Sequence, residues 1–281
     1  MLVTGGVRGI GLGITEAFLA SGADVVVCAR SEPARLPSVE TPSGTRTASF
    51  VAADIRDPDA AFMVVDTAAE RMGRLDVVVN NAGGSPFLDS ATASPRISTR
   101  IIELDLLAPL HISQRANAIM QAQPEGGSII MISSVSGVRP SPGTAVYGAA
   151  KAGLNHLVRT IAQEWAPKVR VNTLVVGLVA TENAEDHYGG KAGLLGVAAT
   201  VPIKRMVTAV DVAGACLFLG SDLAGAVTGS DMAVHGGGEH PEFLAVVDAA
   251  IAEQQSRADR DSAERSEAER GSATNEHRGA T

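Results

Sequence analysis

"TGGVRGIG", residues 4–11, follows the short apolar run "MLVT" and opens a helical pattern, "GITEAFLASG". Glycines at 5, 9 and 11 allow a tight turn, let backbone approach a pyrophosphate and bring the helix close to a sheet. The amino end of such a helix favours anionic charge. A glycine-rich turn alone is compatible with a structural loop. Its place between a strand and a helix, at the head of an alternating chain, favours a nucleotide site. Gly5, Arg8, Gly9, Ile10 and Gly11 are the candidate cofactor contacts there.

Outward from the turn, apolar runs of strand length recur: "DVVVCA" (24–29), "ASFVAA" (48–53), "RLDVVVN" (74–80), "GSIIMIS" (127–133), "VRVNTLVV" (169–176) and "SDMAVHG" (230–236). Runs rich in Val and Ile, separated by helical patterns, predict repeated strand–helix units. The expected fold is α/β: a doubly wound Rossmann-type domain, mainly a parallel sheet of about seven strands with helices on both faces. "MLVT" is shorter than its neighbours need, which leaves open a truncated first strand or a natural start upstream of Met1. The catalytic domain is expected over 1–245, and residues 246–281, which interleave both signs of charge, read as a disordered tail in preference to an extended polar helix.

Composition bounds the function. Of 281 residues, 45% are hydrophobic and 3% aromatic, so a sizeable core is built from Val, Ile, Leu and Ala, as in buried parallel strands under helices. A formal net charge of −8 argues against a nucleic-acid partner, which needs a basic face. Cys28 and Cys216 stand far apart with no companion near either, so neither a disulfide framework nor a metal site is suggested, and a reducing cytoplasm fits. The start lacks the pattern of a secretory signal and no run of about 18 apolar residues occurs, so no membrane partner is expected.

The end of the second strand bears on which nicotinamide nucleotide binds. An acid there accepts hydrogen bonds from the adenosine ribose and repels a 2′-phosphate, whereas arginine attracts the phosphate. "VVVCARSE" supplies Arg30 and no acid at that place, and Arg8 is a second cation in the turn, so NADP is favoured, with NAD left open. Solvated surface charge is the alternative for both arginines.

"AVYGAAKAG", residues 145–153, puts Tyr147 four places before Lys151 in a chain with two tyrosines. Residues i and i+4 share one helix face, so both heads can enter one cleft. A phenol titrating near pH 10 is a poor base at neutral pH and needs a nearby cation, which Lys151 supplies. Small neighbours leave room for a cofactor. A coincidence in an alanine-rich helix is the alternative, and the pair needs company.

That company is "NNAG" at 80–83, "ISS" at 132–134 and "YGAAK" at 147–151, spaced behind "TGGVRGIG". On these motifs the chain, over about residues 1–240, resembles the short-chain dehydrogenase/reductase family of single-domain NAD(P)-dependent enzymes. The resemblance implies that the glycine turn, Asp54 and Ile55 hold the adenosine half of the cofactor and that Asn81, Ala82 and Gly83 line its cleft. It implies Tyr147 as general acid/base, Lys151 as its partner, and Ser134, chosen by family spacing over Ser133 and Ser136, as carbonyl binder. Thr181 would contact the nicotinamide carboxamide, with Val179, Tyr147 and Lys151 as further cofactor contacts; Val176 replaces the family's proline, which is expected to loosen the loop slightly. A homo-oligomer, dimer or tetramer, is implied through the helices containing "ELDLLAPLHIS" and "YGAAK". The implied reaction is hydride transfer between NAD(P)(H) and a small-molecule carbonyl or secondary alcohol.

One departure bears on the chemistry. Where the family places an Asn that holds a water of the proton relay, "IIELDLLAPL" has Asp105. An ionised carboxylate only accepts hydrogen bonds, and near Lys151 it would stabilise the ammonium. Asp105 is accordingly a catalytic candidate with three readings: it supports the same water, it slows catalysis and alters the pH optimum, or it marks a regulatory or scaffold protein that binds NAD(P) with weak or no turnover. The segment near 181–202 reads as an irregular, glycine-containing substrate lid. Residues 134–143 would form the opposite wall, with Arg139 available to an acidic substrate group and His187 and Tyr188 as further candidate contacts.

Overall fold

The computed structural model describes residues 1–182, 184–239, 241, 243–257 and 260. Nine strands and eight helices are named in chain order among them. The chain runs β1 (Leu2–Thr4), α1 (Gly9–Ala20), β2 (Val26–Ala29), β3 (Ser38–Thr41), β4 (Gly44–Thr47), β5 (Ser49–Ala52), α2 (Pro58–Met72) and β6 (Val77–Asn80). It continues through α3 (Pro95–Ile102), α4 (Ala108–Ala122), β7 (Gly127–Ser134), α5 (Ala145–Trp165), β8 (Val169–Val176), α6 (Ala184–His187), α7 (Gly190–Thr200), α8 (Ala209–Gly220) and β9 (Asp231–Val234).

Seven strands form one parallel sheet in the order β5-β2-β1-β6-β7-β8-β9. The expected apolar runs each supply one strand, and the short β1 sits at the centre, paired with β2 on one side and β6 on the other. Strand side chains alternate between faces, and the core divides accordingly. Leu2, Val26, Cys28, Val78, Ile129 and Met131 pack with residues of α2, α4 and α5. Their neighbours Val3, Val27, Val79, Ile130 and Ile132 pack with residues of α1 and α8. The inner strands of such a sheet are covered twice, which is why their runs are continuously apolar rather than alternating.

Helix ends are set by local chemistry. Asp57 accepts from the Asp59 N–H at 3.0 Å and Pro58 follows it at the first helical position, while Gly73, at φ 72°, ends α2 in the left-handed region. Thr208 and Asp211 cap α8 reciprocally. Gly13 lets α1 reach α8, since a Cβ there would stand 2.6 Å from the Ala209 Cβ.

One element had no expectation behind it, and one expectation is corrected. The polar hairpin β3–β4, antiparallel with Thr41 opposite Gly44, had no counterpart in the sequence reading. The segment near 181–202, expected to be irregular, is mostly helical in α6 and α7, because its Ala and Leu residues outweigh the glycines among them. Residues 243–257 are helical, with Glu253 and Arg257 paired one turn apart; they belong to a separate unit from Met1–Gly238. From 258 onward, Arg260 excepted, the tail lies outside the described residues. No helix of the described residues is long and apolar enough to cross a membrane.

Candidate active site

Chain order reverses between β1 and β6, and in sheets of this kind the crevice at the strand carboxyl ends opens at that point. A cavity of about 650 Å³ lies there. Gly5, at φ 65°, and Gly9, at φ 53°, need the conformational freedom of glycine, and a Cβ on Gly11 would stand 2.2 Å from the Gly5 carbonyl oxygen. Thr15 Oγ1 donates to the Gly6 and Gly11 carbonyls at 2.9 and 2.8 Å, fixing the turn from beneath. Arg8 supplies no side-chain cap to α1 and the first turn of that helix carries no acid. The Gly9 N–H instead donates to Glu182 Oε1 at 3.3 Å.

Thr4 joins this turn to the next strand. Its hydroxyl accepts from the N–H groups of Asn81 and Ala82, both at 3.0 Å, while Asn81 Nδ2 donates to the Thr4 and Gly5 carbonyls at 3.0 and 3.2 Å. Two motifs far apart in sequence thus form one floor. Gly5, Arg8, Gly9, Ile10 and Gly11 line the cavity together with Asn81, Ala82 and Gly83.

At its other end stand Arg30, Asp54 and Ile55, with Ser31 and Arg56, which the sequence reading passed over. Arg56 grips the Asp54 carboxylate, Nε at 2.9 Å from Oδ1 and Nη2 on Oδ2. That guanidinium, with Arg30 adding to it, holds the Asp54 carboxyl below its ordinary range. The signal for Arg56 was its place directly after the Asp-Ile pair.

Tyr147 and Lys151 lie one turn apart on α5. Lys151 Nζ stands 5.5 Å from the Tyr147 ring centroid, donates to the Ile132 carbonyl at 3.0 Å, and lies 3.3 Å from Asp105 Oδ1. Asp105 is fully buried. Its Oδ1 also accepts from the Gly84 N–H at 2.9 Å, and Oδ2 has no hydrogen-bond partner among the described residues. Burial pushes the Asp105 carboxyl above its ordinary value against the opposite pull of Lys151 and the Gly84 N–H. A π-helical turn, Glu103–Leu107, separates α3 from α4 and carries Asp105 inward while Leu107 stays exposed.

The three serines are separated by the strand end. Ser133 is buried, with its hydroxyl 3.5 Å from the Lys151 carbonyl, and Ser136 Oγ is 3.1 Å from Ser141 Oγ. Ser134 ends β7 and its Oγ accepts from the Ser136 N–H at 3.1 Å, which leaves its proton to donate elsewhere.

Ser134, Tyr147, Lys151 and Asp105 do not line the cavity that holds the glycine turn; Gly83 connects the two groups. It lines the cavity, and a Cβ on it would stand 2.5 Å from Asp105 Oδ1 and 3.3 Å from Lys151 Nζ. Thr181 lines the cavity beside Gly9, and Val179 bridges to Val207. Val176 pairs in register with Ser134 and Val234, and the loop after it is held by Ala180 N–H to Val207 O at 2.9 Å and Val207 N–H to Leu178 O at 3.0 Å. Arg139 donates to the Pro140 carbonyl at 3.0 Å, Tyr188 is half-buried, and the His187 side chain lies outside what is described. No cluster of metal-ligating side chains occurs among the described residues.

Against known proteins, a family model described as enoyl-(acyl carrier protein) reductase matches residues 5–239. The chain is 37% identical over 243 residues to an uncharacterized oxidoreductase of Methylorubrum extorquens, covering 84% of this chain and 96% of that protein. It is 31% identical over 240 residues to the Arabidopsis thaliana short-chain dehydrogenase/reductase SDRA, covering 84% and 92%. Among solved structures, the ligand-free aldohexose dehydrogenase of Thermoplasma acidophilum superposes with a TM-score of 0.76 at 26% identity, over 84% of this chain and 92% of that one.

Proposed function

The chain belongs to the short-chain dehydrogenase/reductase family of oxidoreductases, and from that premise we propose that it is an NADP(H)-preferring enzyme that interconverts a carbonyl and a secondary alcohol on a small molecule. The observation that carries the reading is the position of Gly83, on the cavity wall and against both Lys151 and Asp105.

The residues present fit a nicotinamide dinucleotide. Gly5 and Gly9 take left-handed φ, and Gly11 packs with no room for a Cβ against the Gly5 carbonyl, so these three positions bring bare backbone to the cavity at the amino end of α1. Arg30 and Arg56 put two guanidiniums at the adenosine end, with Arg8 at the glycine turn, and Arg30 next to Ser31 supplies the donors a 2′-phosphate takes. Asn81, Ala82, Gly83 and Thr181 would flank the nicotinamide half. A bound nicotinamide supplies or accepts the hydride, which no side chain can do.

The chain's own groups handle the oxygen. Reduction leaves negative charge on the carbonyl oxygen; the Ser134 hydroxyl donates a hydrogen bond to it, and the Tyr147 hydroxyl delivers the proton. Lys151, held by Ile132 and Asp105, keeps its ammonium beside the tyrosine ring. In alcohol oxidation the same groups run in reverse. Phe87 and Val138, both exposed, and the α7 side chains favour a partly apolar substrate. The same reading includes a homo-oligomer through the faces of α4 and α5, checked by light scattering of the purified protein.

The test titrates purified protein with NADPH and NADH and follows nicotinamide absorbance over a panel of ketones, and over alcohols in reverse. Turnover is expected to fall by about 10²- to 10⁴-fold in Tyr147→Phe, with NADPH still bound. Binding without oxidation of any panel member, unchanged in Tyr147→Phe, would replace this reading with that of a cofactor-binding regulatory protein, for which the buried Asp105–Lys151 pair leaves room.

A further inference from the structure

The amino end of α1 lacks an anion from its own neighbourhood. Arg8, at its cap position, makes no side-chain bond to the helix, and none of the first-turn residues is acidic. The group that fills the gap comes from a distant part of the chain: Glu182 Oε1 accepts from the Gly9 N–H at 3.3 Å. A Cβ on Gly9 would meet the Thr181 methyl at 3.7 Å and Glu182 Oε2 at 3.8 Å, so both residues lie over the turn. Glu182 also lines the same cavity as Gly5, Gly9 and Gly11.

We propose that Glu182 is a latch that takes the place of the cofactor's pyrophosphate in the cofactor-free protein and must leave for the dinucleotide to enter. This rests on the NADP(H) reading above. A helix amino end offers one small set of N–H donors and one region of positive potential. A carboxylate and a pyrophosphate cannot share it, since both are anions and both need the same N–H. The latch is joined to the lid: Ala184 donates to the Thr181 carbonyl at 3.0 Å and begins α6. Glu182 sets cofactor affinity by competition, without being a contact of the bound cofactor.

The experiment measures dissociation constants of NADPH, and separately of adenosine 2′-phosphate, for wild type, Glu182→Gln and Glu182→Ala. Adenosine 2′-phosphate carries the adenosine end but no pyrophosphate. Both variants are expected to bind NADPH about 2- to 5-fold more tightly, the range for one anion at a helix end, with adenosine 2′-phosphate unchanged. NADPH affinity that is unaltered or weakened in either variant overturns the latch alone. Equal tightening of both ligands also overturns it, because that is the effect of net charge and not of competition at the turn. A wild-type protein that binds neither ligand overturns the cofactor reading and the latch together.

Discussion

The Lys151 ammonium and the Asp105 carboxylate stand 3.3 Å apart with side-chain exposures of 4% and 0%. Two opposite charges taken this far from water compensate one another, but each is costly alone. Asp105→Asn retains an amide oxygen for the Gly84 N–H and is expected to keep or raise turnover. Asp105→Ala leaves the lysine charge with only the Ile132 carbonyl and is expected to destabilise the fold by about 3 kcal/mol. Steady-state kinetics and thermal melts of the two variants check this; collapse of activity in Asp105→Asn would assign the carboxylate a role of its own.

Gly83 admits no side chain. A methyl group there would stand 2.5 Å from Asp105 Oδ1, so either the backbone retreats or the ion pair parts. Gly83→Ala is expected to lower kcat by at least about tenfold, in line with losses from small misplacements of reacting groups. NADPH affinity should change less than kcat. Wild-type kcat in that variant would show that the pair moves without consequence.

Arg30 and Arg56 are not equivalent at the adenosine end. Arg56 is committed to Asp54, while Arg30 reaches Asp54 only through its longer-range field. Arg30→Ala is therefore expected to weaken NADPH about tenfold and NADH little, the loss of one charge-assisted hydrogen bond. Arg56→Ala should weaken both cofactors comparably through Asp54. Titration with each nucleotide separates the two outcomes.

Asp211 takes part in both the cap of α8 and an ion pair. It accepts from the Thr208 N–H at 2.8 Å and from Arg205, which holds its carboxyl far below the ordinary range. A depressed folded pKa means that the unfolded chain binds the proton first, so the stabilisation is present above the ordinary carboxylate pKa and is lost as pH falls toward the folded value. Asp211→Asn is expected to cost about 1 kcal/mol at neutral pH, with the gap to wild type closing on acidification. Chemical denaturation at several pH values measures it.

What the sequence made legible, and what it did not, follows from how far each feature depends on distant partners. The strands were readable because Val26, Val78 and Ile130 sit in runs apolar on both faces, a signal local to each run. Tyr147 and Lys151 were readable because helix geometry alone fixes their common side. The β3–β4 hairpin is polar and carries no core pattern to announce it. The helix α7 was hidden by Gly193 and Gly196, whose propensities argue against the structure that the surrounding Ala and Leu adopt. Glu182 reaches its place through a contact with Gly9, and a contact across 173 residues has no signature in a single chain.

The widened turn at Glu103–Leu107 has a further meaning for how this protein can vary. Such a turn holds one residue more than an ordinary helix would over the same rise. Removing any one residue between Ile102 and Ala108 would let the backbone close into an ordinary helical turn, with α3 and α4 near their present phase but without the bulge that turns Asp105 inward. The acid would then face α-helical neighbours instead of the lysine. Descendants of this gene can trade residue types along the stretch more readily than they can change its length, and insertions or deletions should be the scarcest kind of variation there.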